Sequence, residues 1–276
     1  MRFIKETITA RKNPLVMLFS SLSEKKYREE NGLFLAEGRK LCEEALATHA
    51  PVRYVLLSEE YAKRNLKSVT AAFADPIYDE TELLVLSEGC FDKITTEKAP
   101  EGIILVVKYL DISERCIKID VDKFEKLGRA LFLVSIRDPG NLGTVLRGAG
   151  AFGAETVILS EDCADVYNPR TVRAAMGAVF RVPTLRVSGP AEAVEALKAS
   201  GRRVFAAELR ENAAPIADIG VTCRDVFIIG NEGHGIPSSL SEHCTGSVYL
   251  PIENTAESLN AAMAATILLW EQSKVR

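Results

Sequence analysis

Histidine is scarce in this chain, at three residues, and tryptophan occurs once. His49, His234 and His243 lie too far apart for a histidine-based metal site, and no HExxH pair is present. The six cysteines, Cys42, Cys90, Cys116, Cys163, Cys223 and Cys244, never fall within five residues of one another. That spacing excludes CxxC redox and zinc-ribbon patterns, and scattered cysteines of this kind serve as small buried hydrophobes. No apolar run reaches the ~18 to 20 residues of a spanning helix. The longest, Ser258 to Trp270, is about half alanine or polar residues. The opening Met1-Arg2-Phe3-Ile4-Lys5-Glu6 has no apolar segment of the kind a secretory leader carries. The expectation is a cytoplasmic protein with no membrane and no metal.

What is present is the composition of an ordinary globular protein, 47% apolar and 26% charged. At about 150 residues per domain, 276 residues suggest two domains. The net charge is −4, but residues 1–28 alone carry +5. A basic segment on an acidic body can read phosphate locally, or can be the solvated face of an amphipathic helix.

The pattern of elements gives two α/β alternations. In the first, strands read at 33–36, 52–57 and 102–109, with helices at 39–49 and 59–68. A domain over 1–110, a charged linker over 111–128 and a second domain over 129–276 follow. The second alternation has strands at 130–136, 156–160, 180–187, 203–208, 225–229 and 247–252. Its helices read at about 142–152, 168–176, 190–199, 237–243 and 257–274. Runs such as Leu131-Phe132-Leu133-Val134 suit a parallel sheet covered on both faces. Ligands of such sheets sit beyond the carboxyl ends of the strands.

Three segments leave strands there with unusual chemistry. In the first, Asp138-Pro139-Gly140 is turn chemistry and Asn141 reads as the N-cap of a helix carrying Arg147. The second, Gly230-Asn231-Glu232-Gly233-His234-Gly235, puts three glycines after an apolar strand, where backbone can approach a ligand. His234 reads as a solvent-exposed loop histidine. The third runs from Leu250 to Asn260; Asn254 and Glu257 have capping-box spacing, and Ser258 and Asn260 fall in the first turns. Its helix is apolar nearly all round, which implies burial on more than one side, within the domain or against another subunit.

Gly148-Ala149-Gly150-Ala151-Phe152-Gly153 matches GxGxxG, yet it closes a helix and precedes a strand. The dinucleotide fingerprint has the opposite polarity, which makes a nicotinamide oxidoreductase a distant alternative. Gly148 and Gly150 read as close-packing positions and Gly153 as a helix C-cap.

Taken in order, these segments resemble the signature motifs of the SpoU/TrmH class of SPOUT RNA ribose 2′-O-methyltransferases. Asn141, Gly143 and Arg147 resemble its Asn-x-Gly-x-x-x-Arg element. Gly230, Glu232 and Gly235 resemble Gly-x-Glu-x-x-Gly, and Ser258-Leu259-Asn260 the Ser-Leu-Asn element. The basic stretch Asn168 to Ala178 is similar to a family segment between the first two. Residues 27–38 are similar to the opening of the family's ribosomal-protein-like substrate-binding extension. Asn254 stands where the family usually has Gly, and Ala175 and Ala262 stand where Ser is common.

The resemblance implies a trefoil-knotted, mostly parallel SPOUT domain with helices on both faces, preceded by a smaller α/β substrate-binding domain, and a homodimer formed through the knotted part. It implies S-adenosylmethionine as cofactor, contacted by Gly230, Leu250, Ile252, Asn254 and Leu259. Arg147 corresponds to the family's catalytic arginine, with Asn141, Glu232, Ser258 and Asn260 around it. Arg11, Lys12, Lys25, Lys26, Arg28, Arg39, Arg170 and Arg173 are the candidate RNA contacts. Ribosomal RNA is the first expectation and transfer RNA the second; a non-catalytic RNA-binding protein would be expected to lose Arg147 or Ser258-Leu259-Asn260.

Overall fold

The structure, a computed structural model, describes residues 1–114, 119–231, 233–253 and 258–275. The chain forms two compact units. One contains residues 1–111 together with 165–180, the other 112–164 together with 181–276.

The first unit starts with β1 (Arg2–Ile8), α1 (Pro14–Ser21), α2 (Lys25–Asn31), β2 (Leu33–Glu37) and α3 (Arg39–Ala47). It continues through β3 (Val52–Ser58), α4 (Glu59–Ala72), β4 (Glu82–Leu86), α5 (Glu88–Ile94) and β5 (Ile103–Lys108). The sheet order is β1-β4-β3-β5-β2, with β5 antiparallel to both of its neighbours and the other pairs parallel. Phe19, Leu35, Leu56, Leu84, Phe91 and Ile104 form its core. Local signals set the helix starts. Asn13 caps α1 ahead of Pro14, and the Ser58 hydroxyl accepts from the Tyr61 N–H at 3.2 Å to start α4. The basic segment 1–28 therefore holds a strand, one short helix and the start of a second in place of one amphipathic helix.

The second unit comprises β6 (Ser113–Glu114), α6 (Val121–Glu125), β7 (Ala130–Leu133), α7 (Pro139–Ala151) and β8 (Thr156–Ser160). After α8 (Pro169–Ala175), which folds with the first unit, come β9 (Thr184–Val187), α9 (Pro190–Ala199), β10 (Val204–Ala207) and β11 (Ala214–Pro215). The chain ends with β12 (Val226–Ile229), α10 (Ser238–Ser241), β13 (Gly246–Tyr249) and α11 (Ala261–Ser273). The sheet order is β11-β13-β10-β12-β7-β8-β9-β6, and every pair is parallel. All residues of β7, β8 and β12 are buried, as a sheet covered on both faces requires. The stretch 111–128, expected to form a linker, instead holds, among its described residues, β6 at the sheet edge and α6 against the core, where Phe124 is fully buried. Charged residues around Phe124 mask its apolar anchoring in the sequence.

Two helix starts differ from the sequence reading. Asp138 caps α7, its Oδ1 accepting from the Asn141 N–H at 2.8 Å, with Pro139 in the first turn. Asn141 thus lies inside the helix. Asn260 caps α11, its Oδ1 accepting from the N–H groups of Ala262 at 2.9 Å and Met263 at 3.4 Å. The expected capping box at Asn254 and Glu257 lies outside the described residues. Gly148 packs closely on α11, since an added Cβ would meet the Thr266 hydroxyl at 3.0 Å. Gly150 is exposed, where the sequence reading has it at a close-packing position. Gly153 takes φ 69° just after the helix C-cap, Phe152.

The segment 165–180 belongs to the first unit through specific contacts. The Tyr167 ring stacks on Tyr109 (centroids 4.3 Å apart) and on Phe34 (4.5 Å), and its hydroxyl accepts from the Leu110 N–H at 2.9 Å. Asp165 accepts two hydrogen bonds from Arg28, at 2.7 and 3.1 Å.

Candidate active site

At the carboxyl edge of the second sheet, the ends of β10 and β13 and the approach to α11 enclose a cavity of about 420 Å³. That is within the range of small-molecule pockets, and it sits where parallel sheets bind ligands. Of the cofactor and catalytic candidates, Leu250, Ile252, Ser258 and Leu259 line it together. Glu208 and Leu209, which the sequence reading did not single out, line it as well. They follow β10, whose place between β12 and β13 brings its end to the same edge. No local motif announces that placement. The Glu208 carboxylate is fixed by the hydroxyls of Ser247 (2.7 Å) and Ser241 (3.1 Å) and by Arg210 at 3.0 Å.

Beside the cavity, the Asn260 Nδ2 donates to the Asn141 Oδ1 at 3.1 Å. One side chain therefore caps α11 and grips α7, joining two motifs 119 residues apart. Ser258 is exposed, as is Arg147 on α7; Arg147 has no ion-pair partner among the described residues. Glu232 and Asn254 lie outside the described residues.

Gly230 is not part of the cavity lining among the described residues. Its role is a tight turn: an added Cβ would sit 2.4 Å from the Gly235 carbonyl carbon and 2.7 Å from Ile236. Gly235 itself takes φ 65°, a conformation glycine adopts without penalty. Asn231 and Gly235 close the loop with two backbone hydrogen bonds, of 3.1 and 2.8 Å, and His234 is exposed as expected. Across from this loop, Asp162 accepts from the hydroxyls of Ser135 and Ser160, both at 2.6 Å, and from Arg137 at 3.3 Å. Partial burial pushes the Asp162 carboxyl up, but these hydrogen bonds outweigh it and hold the pKa below the ordinary carboxylate value.

The basic candidates separate into two groups. Arg11, Lys12, Lys25, Lys26, Arg39, Arg170 and Arg173 are exposed. Lys25 and Lys26 face Glu29 and Glu30 at 3.8 Å, and Arg39 faces Glu43 at 3.4 Å. Exposed pairs of this spacing are worth about 0.3–0.5 kcal/mol, so a phosphate displaces them easily. Arg173 pairs with Glu97. Arg28 does not belong with them: it is 1% exposed, and besides Asp165 it donates to the carbonyls of Leu22 and Ser23, both at 2.8 Å. Its guanidinium is a structural tie that RNA cannot reach. Among the described residues no metal-ligating cluster occurs, and no described helix is long and apolar enough to cross a membrane.

Comparison with known proteins adds to this geometry. The SpoU rRNA Methylase family matches residues 128–270, and the MRM3-like substrate binding domain matches residues 13–105. The chain is 32% identical to the 23S rRNA (guanosine(2553)-2′-O)-methyltransferase RlmP of Bacillus subtilis, over 95% of this chain and 97% of that one. The AdoMet-bound rRNA methyltransferase from Sinorhizobium meliloti superimposes with a TM-score of 0.81 at 29% identity, covering 96% of each chain. The SpoU methyltransferase AviRb from Streptomyces viridochromogenes, in complex with the cofactor AdoMet, gives 0.77 at 26% identity, covering 95% of this chain and 98% of that one.

Proposed function

The chain belongs to the SpoU rRNA methylase family, and from that premise we propose that it transfers a methyl group from S-adenosylmethionine to a ribose 2′-hydroxyl of ribosomal RNA. The observation that carries this reading is the Asn260–Asn141 hydrogen bond beside the cavity. It unites the arginine-bearing helix with the Ser258-Leu259-Asn260 segment, as a single reacting centre requires. The cavity suits the cofactor. Leu209, Leu250, Ile252 and Leu259 offer an apolar slot for a purine, and Glu208 offers an acceptor for hydroxyl or ammonium groups. When bound, the cofactor supplies a sulfonium-activated methyl group.

The protein's own work is alignment and proton handling. Arg147 is the catalytic residue in this reading. A guanidinium keeps its proton under ordinary conditions, so it acts by gripping a substrate phosphate, and that phosphate takes the 2′-hydroxyl proton. Asn141, Glu232, Ser258 and Asn260 orient Arg147 and the nucleotide, and Gly230 and Asn254 shape the cofactor loops. The first unit, with its exposed Arg11, Lys12, Lys25, Lys26, Arg39, Arg170 and Arg173, docks the RNA. Ribosomal RNA is preferred over transfer RNA because the Bacillus relative matched along nearly its full length carries that substrate in its name, and the first unit matches a substrate-binding domain.

The parallel order that sets β13 between β10 and β11 supports a trefoil knot at the C-terminus. Exposed Met263 and Trp270 on α11, next to an open groove against α7, support a homodimer through that face. A cytoplasmic location accords with the substrate. The test uses total RNA from cells lacking the protein and tritiated S-adenosylmethionine. Arg147→Ala should lower methyl transfer at least a hundredfold while cofactor affinity by calorimetry stays within threefold. Retained turnover removes Arg147 from the mechanism. Wild-type protein that neither binds the cofactor nor transfers label ends the reading.

A further inference from the structure

The 230–236 loop and the turn from β7 into α7 are fastened to each other by the Asn231 side chain. Asn231 uses its Oδ1 locally, accepting from the N–H groups of Gly233 at 2.9 Å and His234 at 3.2 Å. Those bonds suffice to shape the turn. Its Nδ2 is not needed there and instead donates to the Ser135 carbonyl at 3.0 Å, 96 residues earlier in the chain. Ser135 begins the turn that carries the chain from β7 into α7, and so towards Asn141 and Arg147.

Ser135 is held on every side. Its φ of 57° is left-handed, a strained conformation for a residue with a side chain, and it persists only where the surroundings impose it. The Ser135 N–H donates to the Ser160 hydroxyl at 2.9 Å, and its own hydroxyl donates to Asp162 at 2.6 Å. The carbonyl is the remaining polar group, and Asn231 takes it. The β8 loop fixes two corners of this junction and the β12 loop the third.

We propose that Asn231 is a positioning residue for methyl transfer, its amide locking the 230–236 loop to the β7–α7 turn so that the elements bearing Arg147 and the Gly-rich motif keep one register. The inference rests on the methyltransferase reading but concerns a residue that is not among the described residues lining the cavity and, in that reading, does not touch the reacting atoms. Geometry of this kind governs rate strongly, because small displacements of aligned groups cost large factors in turnover.

The substitution Asn231→Asp separates the two halves of the side chain's work. It keeps an oxygen for the Gly233 and His234 N–H groups but turns an oxygen towards the Ser135 carbonyl, so the tie is lost at neutral pH. Three measurements follow. In cofactor-free protein at pH 8, hydrogen exchange across 134–142 should speed up at least tenfold, while 248–253, beside the cavity, stays unchanged. Affinity for S-adenosylmethionine should stay within threefold. The methylation rate with saturating cofactor, on total RNA from cells lacking the protein, should fall at least tenfold.

Acid supplies a rescue. Once protonated, the introduced carboxyl is nearly isosteric with the amide and can donate to Ser135 again. The rate relative to wild type should then rise as pH falls from 8 to 5.5 for N231D and stay flat for N231A. Asp162, Arg137, Cys163, Arg186 and His234 are charged or titratable groups among the described residues around this junction; all are common to the proteins compared, so the ratio cancels them. Unchanged exchange at 134–142 overturns the proposal, as does a rate within twofold of wild type, or rate and cofactor affinity falling by the same factor. Should N231D fail to fold, Asp162→Asn loosens the same turn from the β8 side and should give the same exchange pattern. If wild-type protein transfers no label, the methyltransferase reading fails, and the exchange measurement still decides whether the lock exists.

Discussion

Arg28 sits in a run whose charge suggests contact with phosphate, between exposed lysines on one side and Glu29 and Glu30 on the other. Helical spacing nonetheless turns it inwards, where Asp165 and two carbonyls take its donors. Removing one partner of a buried pair strands the other's charge, so Arg28→Ala should cost about 3–5 kcal/mol in urea unfolding. Lys25→Ala with Lys26→Ala should leave stability nearly unchanged and flatten the salt dependence of RNA binding by roughly one to two in log–log slope. Sequence alone could not separate these neighbours, because the acidic partner lies 137 residues away. The motif residues were more legible. Asn141, Ser258, Leu259 and Asn260 stand out through their resemblance to the family's motifs, and they meet at one edge of the sheet. Glu208 was not, because nothing adjacent to it in the chain marks it as part of a cavity.

Among the elements, α9 begins and ends where the sequence reading put it, at Pro190 and Ala199, and β8 at Thr156 and Ser160. Both have clear boundaries: a proline at the helix start, and an apolar run between polar neighbours. The helices at the site were displaced by a few residues because competing caps stand close together. Asp138 precedes Asn141, and Asn260 follows Asn254. The outcome matters chemically, since Asn141 is released from capping and meets Asn260. Asn260→Ala should remove the α11 cap at a cost of about 1 kcal/mol, measurable by thermal denaturation. It should also lower the methylation rate by more than that loss of stability explains, because α7 loses its tie. A rate that merely tracks the folded fraction would make Asn260 a cap and nothing else. β1 escaped notice because Arg2-Phe3-Ile4-Lys5-Glu6-Thr7-Ile8 alternates imperfectly, and β4 with α5 fell in a stretch where no element was read. Parallel pairing to β4 settles β1 in a way no local propensity could.

For the molecule as a whole, the alternation of strands and helices announced two α/β bodies with a parallel sheet in the second. It did not announce that residues 165–180 would leave the second body and fold with the first. Those residues sit inside the stretch that matches the methylase family, 128–270, and they read as part of it. Their allegiance depends on Tyr167 stacking with Tyr109 and Phe34, contacts that span more than 50 residues. A fragment of residues 1–111 alone would uncover those rings and strand Arg28. It should bind a hydrophobic dye and melt well below a version in which 165–180 is joined on by a flexible linker; equal melting would show the segment to be dispensable. Anyone hoping to redirect such an enzyme by exchanging its RNA-recognition half would therefore have to graft two separate stretches of gene. A splice at residue 111 alone leaves Asp165 facing a foreign half in place of Arg28, and the chimera's failure to fold could be mistaken for failure to recognise the new target.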